Sequence, residues 1–354
     1  MADHNPSADR VRPAIVELTL VRLREFVREP EAMFWVFGFP LLLALGLGIA
    51  FRNRPPESIP VGVLGSAPAE IAASLEQGRN LTVERMADES AAAQALRTGD
   101  VALIVAADSA GGVEYRFDPS RPEAAIARLA ADEAIQRGAG RRDPLAVREA
   151  TVSERGSRYI DFFIPGLLGL NLMGSGVWSI GFAVVTARKQ KLLKRLVATP
   201  MSRSQYLMSF LLSRLFFLVL EVAVLVGFGA LVFDVPVRGS FVTLAVVCLV
   251  AALTFSAIGL LVSSRAQTVE AVSGLANLVM LPMWIFSGVF FSSANFPKVI
   301  QPFIQALPLT ATVDALRAHM LRGASLASLS GELLLLAAWL VVPFVVALRI
   351  FRWR

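Results

Sequence analysis

Phe241-Val-Thr-Leu-Ala-Val-Val-Cys-Leu-Val-Ala-Ala-Leu-Thr-Phe-Ser-Ala-Ile-Gly-Leu-Leu-Val-Ser-Ser264 contains no charged residue. A helix needs about 20 mostly apolar residues to cross the hydrocarbon core of a bilayer, so this stretch reads as a membrane span. The same pattern recurs on both sides of it. Residues 32–51, 158–187, 207–233, 271–293 and 330–349 are each long and apolar enough to cross, which gives six spans in all. The uncharged part of the last one, Leu333–Leu348, is short, and Glu332 and Arg349 flanking it can snorkel to the two surfaces. The fold class expected is a polytopic α-helical membrane protein with six transmembrane helices and a small α/β domain.

Composition agrees with that reading. Of the 354 residues 55% are hydrophobic and 18% charged, and the mean hydropathy is +0.60. A soluble domain carries about 25% charged residues. A single cysteine, Cys248, excludes an internal disulfide framework. The formal net charge of +6 is assigned to loops beside a membrane rather than to nucleic-acid binding, because Lys and Arg concentrate on the cytoplasmic side of membrane proteins. Arg10, Arg12, Arg22, Arg24 and Arg28 precede the first span, and Arg188, Lys189, Lys191, Lys194, Arg195 and Arg203 follow the second. Arg349, Arg352 and Arg354 close the chain. With an even number of spans, both termini are expected in the cytoplasm.

Residues 52–157 are the exception to short loops. Strand-like runs at Ile59–Leu64, Leu81–Arg85, Val101–Val105 and Val113–Phe117 alternate with helical runs at Ala69–Gln77, Glu89–Arg97 and Glu123–Arg137. This predicts a compact α/β domain on the extracytoplasmic side, since long domains translocate regardless of charge.

Three segments read as interfacial. In residues 1–31, Val16, Leu20, Leu23 and Val27 recur at helical spacing, which describes a helix in the headgroup layer or one packed on a partner protein. Residues 188–206 hold a short helix with an apolar strip of Leu192, Leu193 and Leu196 beside a basic strip of Arg188, Lys191 and Arg195. Pro200 stops it at Thr199. Docking on a protein and contact with anionic lipid both fit. In residues 294–323, Pro297, Pro302 and Pro308 interrupt an apolar stretch, so a pair of short helices dipping into or lying on the outer leaflet is expected, with Asp314 in the first turn of the second.

No credible catalytic constellation is present. No Gly-x-x-x-x-Gly-Lys-Ser/Thr occurs, and none of the four lysines follows a glycine. The chain therefore has no P-loop for nucleotide phosphates. His-Glu-x-x-His and Gly-x-Ser-x-Gly are also absent, and no metal-ligand spacing occurs in residues 52–157. Gly174-Ser175-Gly176 reads as a small-residue run for close helix packing. Ionisable and polar residues within spans are the remaining candidates. An acid at the centre of a span costs about 2.5–3.5 kcal/mol, so Glu221 either lines a translocation path or pairs with a polar group. Arg214 lies two turns earlier, about 10 Å along the axis, and a direct pair is not expected. Asn171 and Asn277 are path-lining candidates or interhelical hydrogen-bond formers. Pro40, Pro165, Pro282 and Pro343 mark potential kinks.

The run Lys191-Leu-Leu-Lys-Arg-Leu-Val-Ala-Thr-Pro-Met-Ser-Arg203 resembles the cytoplasmic signature of ABC type-2 transporter permeases. Phe286-Ser-Gly-Val-Phe-Phe291, Leu307-Pro-Leu-Thr310 and Asp314-Ala-Leu-Arg317 look like the C-terminal pattern of that family. Ala95-Leu-Arg-Thr-Gly-Asp-Val-Ala-Leu-Ile-Val105 is similar to members with a large domain after the first span. The basic Arg188-Lys-Gln-Lys191 departs from the acidic start many members carry here. The resemblance implies a dimer of permeases, homodimeric or pseudo-symmetric, in a bacterial plasma or inner membrane. An ATP-binding cassette ATPase would be its partner, with ATP and Mg held there and no cofactor on this chain. It implies that Arg188, Lys191, Leu192, Leu193, Arg195, Leu196, Thr199 and Pro200 form a coupling helix. It implies an outer gate around Phe290, Phe291, Pro308, Asp314 and Arg317, and export of a hydrophobic or amphipathic compound such as a drug or lipid. Two alternatives remain open: a signalling or mechanotransmission protein sensing through residues 52–157, and a proton-coupled carrier using Glu221.

Overall fold

The computed structural model describes residues 14–51, 58–108, 112–142, 145, 156, 158–189 and 203–350. The chain divides into two compact units, one made of residues 53–152 and the other of the remainder.

Among the described residues, the helical unit contains six helices long and apolar enough to span a membrane: Pro30–Ala50, Tyr159–Thr186, Ser213–Phe233, Phe241–Ser263, Val269–Phe286 and Ala327–Ile350. Helix α1 (Ala14–Val27) precedes them. The first span is built in three pieces, α2 (Pro30–Met33), a π-helical turn (Phe34–Gly38) and α3 (Phe39–Ala50). The π turn ends two residues before Pro40. Proline has no N–H to give the preceding turn, and the wider π turn re-routes the hydrogen bonds there. The π turn thus lies just before Pro40, where the sequence marks a potential kink.

The inserted unit is a four-stranded sheet, ordered β2-β1-β3-β4. Strands β1 (Ile59–Leu64), β2 (Leu81–Met86) and β3 (Leu103–Ala107) are parallel, and β4 (Val113–Arg116) is antiparallel to β3. Helices α4 (Ala69–Glu76), α5 (Glu89–Thr98) and α6 (Pro122–Gly138) connect or follow them. Side chains alternate across a strand, and here both faces are covered. Val61, Val63, Leu103 and Val105 pack with Leu75, Ala127 and Ala131. Leu64, Ile104 and Ala106 pack on the other face with Ala92 and Val101. That is why β1 and β3 read as continuous apolar runs. Asp88 caps α5 by accepting from the Ala91 N–H at 2.7 Å, and Gly99 ends it at φ 86°. The sequence places β3 two residues early, because Val101 and Ala102 are buried but precede the ladder.

Helices α7 (Tyr159–Lys189), α8 (Arg203–Phe233), α9 (Phe241–Ser263), α10 (Val269–Phe286) and α13 (Ser330–Ile350) complete the spans. The core lies between α7 and α9, where Phe163, Leu167, Leu172 and Met173 meet Val247, Ala251 and Phe255. Gly176 and Gly259 set the approach. A Cβ on Gly259 would lie 2.7 Å from the Val177 carbonyl oxygen, and one on Gly176 would lie 2.7 Å from Phe255 Cβ. The packing role read for Gly176 holds.

Between α10 and α13, α11 (Gln301–Ala306) and α12 (Pro308–Arg322) follow each other. Residues Lys298–Ala306 and Pro308–Arg322 meet at 85°, so the prolines do break this stretch into a bent pair. Asp314 is not in the first turn of α12. Pro308 is tolerated at the first helical position because its missing N–H would have no partner there. The helix therefore starts four residues earlier than the charge pattern alone indicates.

Candidate functional site

The strongest polar cluster within the spans joins α7 to α8. Ser175 Oγ donates to Glu221 Oε2 at 2.9 Å, Arg214 Nη1 donates to Glu221 Oε1 at 3.1 Å, and Arg214 Nη2 donates to Ser175 Oγ at 3.0 Å. Glu221 is 2% exposed. The expectation that Arg214 and Glu221 stand too far apart to pair is therefore corrected. Helical side chains tilt toward the N-terminus, which brings the Glu221 carboxylate back toward Arg214, and an extended arginine spans the rest. Both carboxylate oxygens are engaged. Asn171 lies one turn before Ser175, buried, and its Nδ2 makes no hydrogen bond to any described residue. Asn277 is elsewhere. It lines an open groove of about 400 Å³ along α10 with Gly274, Leu278, Met280, Leu281 and Trp284. Of the three path candidates, then, the structure places Glu221 and Asn171 inside the bundle and Asn277 on an exposed helix face.

At the end of α7, Arg188 turns its guanidinium into the chain. Nη1 donates to the Ser263 and Ala266 carbonyls at 2.8 and 2.9 Å, and Nη2 to the Ser264 carbonyl at 2.8 Å. These carbonyls belong to the last turn of α9 and the connection to α10. Lys191, Leu192, Leu193, Arg195, Leu196, Thr199 and Pro200 lie outside the described residues.

Among the proposed gate residues, Arg317 bridges two neighbouring elements. Its Nε donates to the Phe162 carbonyl at 3.1 Å, its Nη2 to the Gly288 carbonyl, and its Cζ sits 3.4 Å from the Phe162 ring centroid. Gly166 leaves room for this, since a Cβ there would fall 2.9 Å from the Val289 carbonyl oxygen and 3.1 Å from Arg317 Nη2. The Phe290 carbonyl accepts from Tyr159 Oη at 3.0 Å, and its ring packs on Phe163. Phe291 is half-exposed against Phe296. Pro308 is buried, whereas Asp314 is exposed. So Arg317 and Phe290 tie α12, the 287–291 loop and the start of α7 together, with Asp314 three residues before Arg317 on the same helix.

Several residues escaped the sequence reading. Ser175 was seen only as small. Asp161, fully buried, receives a bidentate Arg158 pair at 2.9 and 2.8 Å and fixes the start of α7. His319 is buried with Nδ1 2.8 Å from the Ala324 carbonyl and Nε2 2.9 Å from the Ser240 carbonyl. It clasps the α8–α9 connection to the end of α12. A hydroxyl or acid within an apolar run is the one available sequence signal, and it names no partner.

A bundle of six apolar spans with an inserted α/β unit and buried polar cross-links defines a polytopic membrane protein. The model of the ABC-2 family transporter protein matches residues 31–349, and the chain belongs to that family. ABC transporter G family member 20 of Dictyostelium discoideum is 28% identical over 172 residues, 48% of this chain and 23% of that protein. Nodulation protein J of Rhizobium leguminosarum bv. viciae is 30% identical over 102 residues, 29% of this chain and 39% of its own length. Nodulation protein J of Bradyrhizobium diazoefficiens is 34% identical over 103 residues, 29% and 38% respectively. The matched segments thus span between about a quarter and two-fifths of these curated relatives.

Proposed function

We propose that this chain is the membrane-spanning subunit of an ATP-driven exporter, working with a separate ATP-binding cassette subunit. The single observation that carries the reading is the family match over residues 31–349. The sequence holds no P-loop motif, which fits a bundle driven by a partner that binds ATP. ATP and Mg would sit on the partner. The segment after α7 would dock there through Leu192, Leu193 and Leu196, with α1 bracing it. Phe26 of α1 packs on Phe217 of α8 at 4.3 Å between ring centroids, which supports a route from α1 to the spans.

Charge bias supports a topology with residues 1–31, 188–206 and 350–354 in the cytoplasm and 52–157 and 294–323 outside. The bent pair would form an outer gate. The α10 face is apolar and exposed, with Leu278 70% and Leu281 55% accessible. A second copy covering that face would enclose the groove and give a dimer with a path for a lipophilic cargo such as a drug or lipid. The alternative of a proton-coupled carrier is disfavoured by Glu221, whose two oxygens are both engaged by Arg214 and Ser175.

Copurification with an ATPase, abolished by Leu193→Glu/Leu196→Glu, is the expected result. Unchanged copurification would count against the docking segment. Cysteines placed at Arg97 and Lys194 should label with an impermeant reagent from opposite faces, the first from outside. In vesicles, cargo movement that persists without ATP would overturn the reading.

A further inference from the structure

We propose that Arg188 is a positioning residue that locks the end of α7 to the α9–α10 connection, so that motion of the segment following α7 is delivered to α10. The inference rests on the proposed reading of that segment as the docking site of the ATPase. Its residue pattern groups Arg188 with the docking strip, yet its guanidinium serves a different surface. The last carbonyls of a helix have no intrahelical partner, and a cation there also meets the negative end of the helix dipole. Arg188 answers both, with three hydrogen bonds of 2.8–2.9 Å to Ser263, Ser264 and Ala266. A guanidinium is a rigid planar fork, so it fixes direction as well as distance, which a lysine ammonium does not.

A second contact reinforces the lock. Val185, Ala266 and Val272 form their own small apolar cluster. Gly181 lets Val272 approach, since a Cβ at 181 would lie 2.9 Å from Val272 Cγ1. The helix α10 begins at Val269, three residues beyond the last carbonyl that Arg188 holds. The ends of α7, α9 and α10 therefore form one body, and the same α10 carries the groove at Asn277 and Trp284. Without the Arg188 hydrogen bonds, a push on the segment after α7 would reach α10 only through side-chain packing such as that of Val185 and Val272.

The test uses the full complex with its copurifying ATPase, spin-labelled at Leu278→Cys and Val219→Cys, both exposed. Cys248 is buried and stays unlabelled. Distances between labels are measured by pulsed electron resonance with and without ATP plus vanadate. The native residue at 188 is expected to give a nucleotide-dependent shift. Arg188→Gln is expected to keep copurification, because the Arg188 guanidinium is held by the Ser263, Ser264 and Ala266 carbonyls, while the shift falls below half. A full shift in Arg188→Gln overturns the proposal, as does loss of copurification, which would make Arg188 part of the docking surface. If Arg188→Gln does not fold, Arg188→Lys carries the test. It keeps the charge but not the fork, so a reduced shift supports the lock and a full shift overturns it. Absence of any shift with Arg188 intact also overturns it. Leu193→Glu keeps the two failures apart: if it still copurifies, the docking reading fails instead.

Discussion

Glu221 shows how a single residue in lipid is constrained by its partners more than by its own chemistry. Removing one member of a buried ion pair leaves the other charge stranded, at a cost of about 3–5 kcal/mol. Glu221→Met alone should lose about that much stability. Glu221→Met together with Arg214→Met, which removes both charges, should recover most of it. Thermal unfolding of the purified protein in detergent measures this, and additive losses would mean that the pair is not coupled. Asp88 makes a different point in the inserted unit. Its carboxylate is held below the usual aspartate range by the Ala91 N–H and then by the Ser90 hydroxyl. A lowered native pKa means the capping contribution is complete above the ordinary value of about 3.9 and fades as pH falls through the lowered one. The protection factors of the α5 amides, exchange rates divided by the intrinsic rate at each pH, should therefore fall on acidification in the native protein. In Asp88→Ala they should be low already near neutrality and nearly flat with pH. The helix that Asp88 caps was legible in the sequence, and Glu221 was singled out there with its role undecided. An N-cap is a local arrangement, whereas the Glu221 partner Ser175 is 46 residues away.

At the scale of elements, helix pairs are set by where a side chain is missing. Gly259 on α9 faces the Val177 backbone, whereas a Cβ on Gly274 of α10 would meet nothing within 4 Å. Gly259→Ala should cost about 1–3 kcal/mol from overpacking. Gly274→Ala should be neutral or gain about 0.5–1 kcal/mol from reduced chain entropy. Equal effects in a thermal-shift comparison would argue against the close α7–α9 approach. Element positions themselves were largely legible. Ile59–Leu64 coincides with β1, and the helix read at Glu123–Arg137 differs from α6 by one residue at each end. The bent pair was legible because proline acts locally. The start of α12 was not, because Pro308 both breaks the preceding helix and opens the next. The order of the sheet was likewise invisible: β1 sits between β2 and β3, and parallel neighbours are joined by crossovers whose placement depends on the whole unit.

For the whole molecule, residues 53–152 form a unit with their own two apolar clusters. Replacing residues 58–142 by a short flexible linker should therefore leave the spans assembled, with a monodisperse elution profile and an unfolding temperature close to that of the full chain. Aggregation of the shortened chain would show that the spans depend on the inserted unit. Taken alone, the sequence determined that six segments are long and apolar enough to cross a membrane, that an α/β unit is inserted after the first, and which family pattern the chain carries. Each of these depends on hydrophobicity and turn chemistry within windows of about 20 residues, and such windows need no knowledge of neighbours in space. Only the tertiary structure decided that Glu221 pairs with Arg214 and Ser175, that Arg188 holds carbonyls 75–78 residues away, and that Arg317 ties α12 to the start of α7. Buried polar groups in lipid must find partners, and which partners they find is fixed by the packing of distant helices.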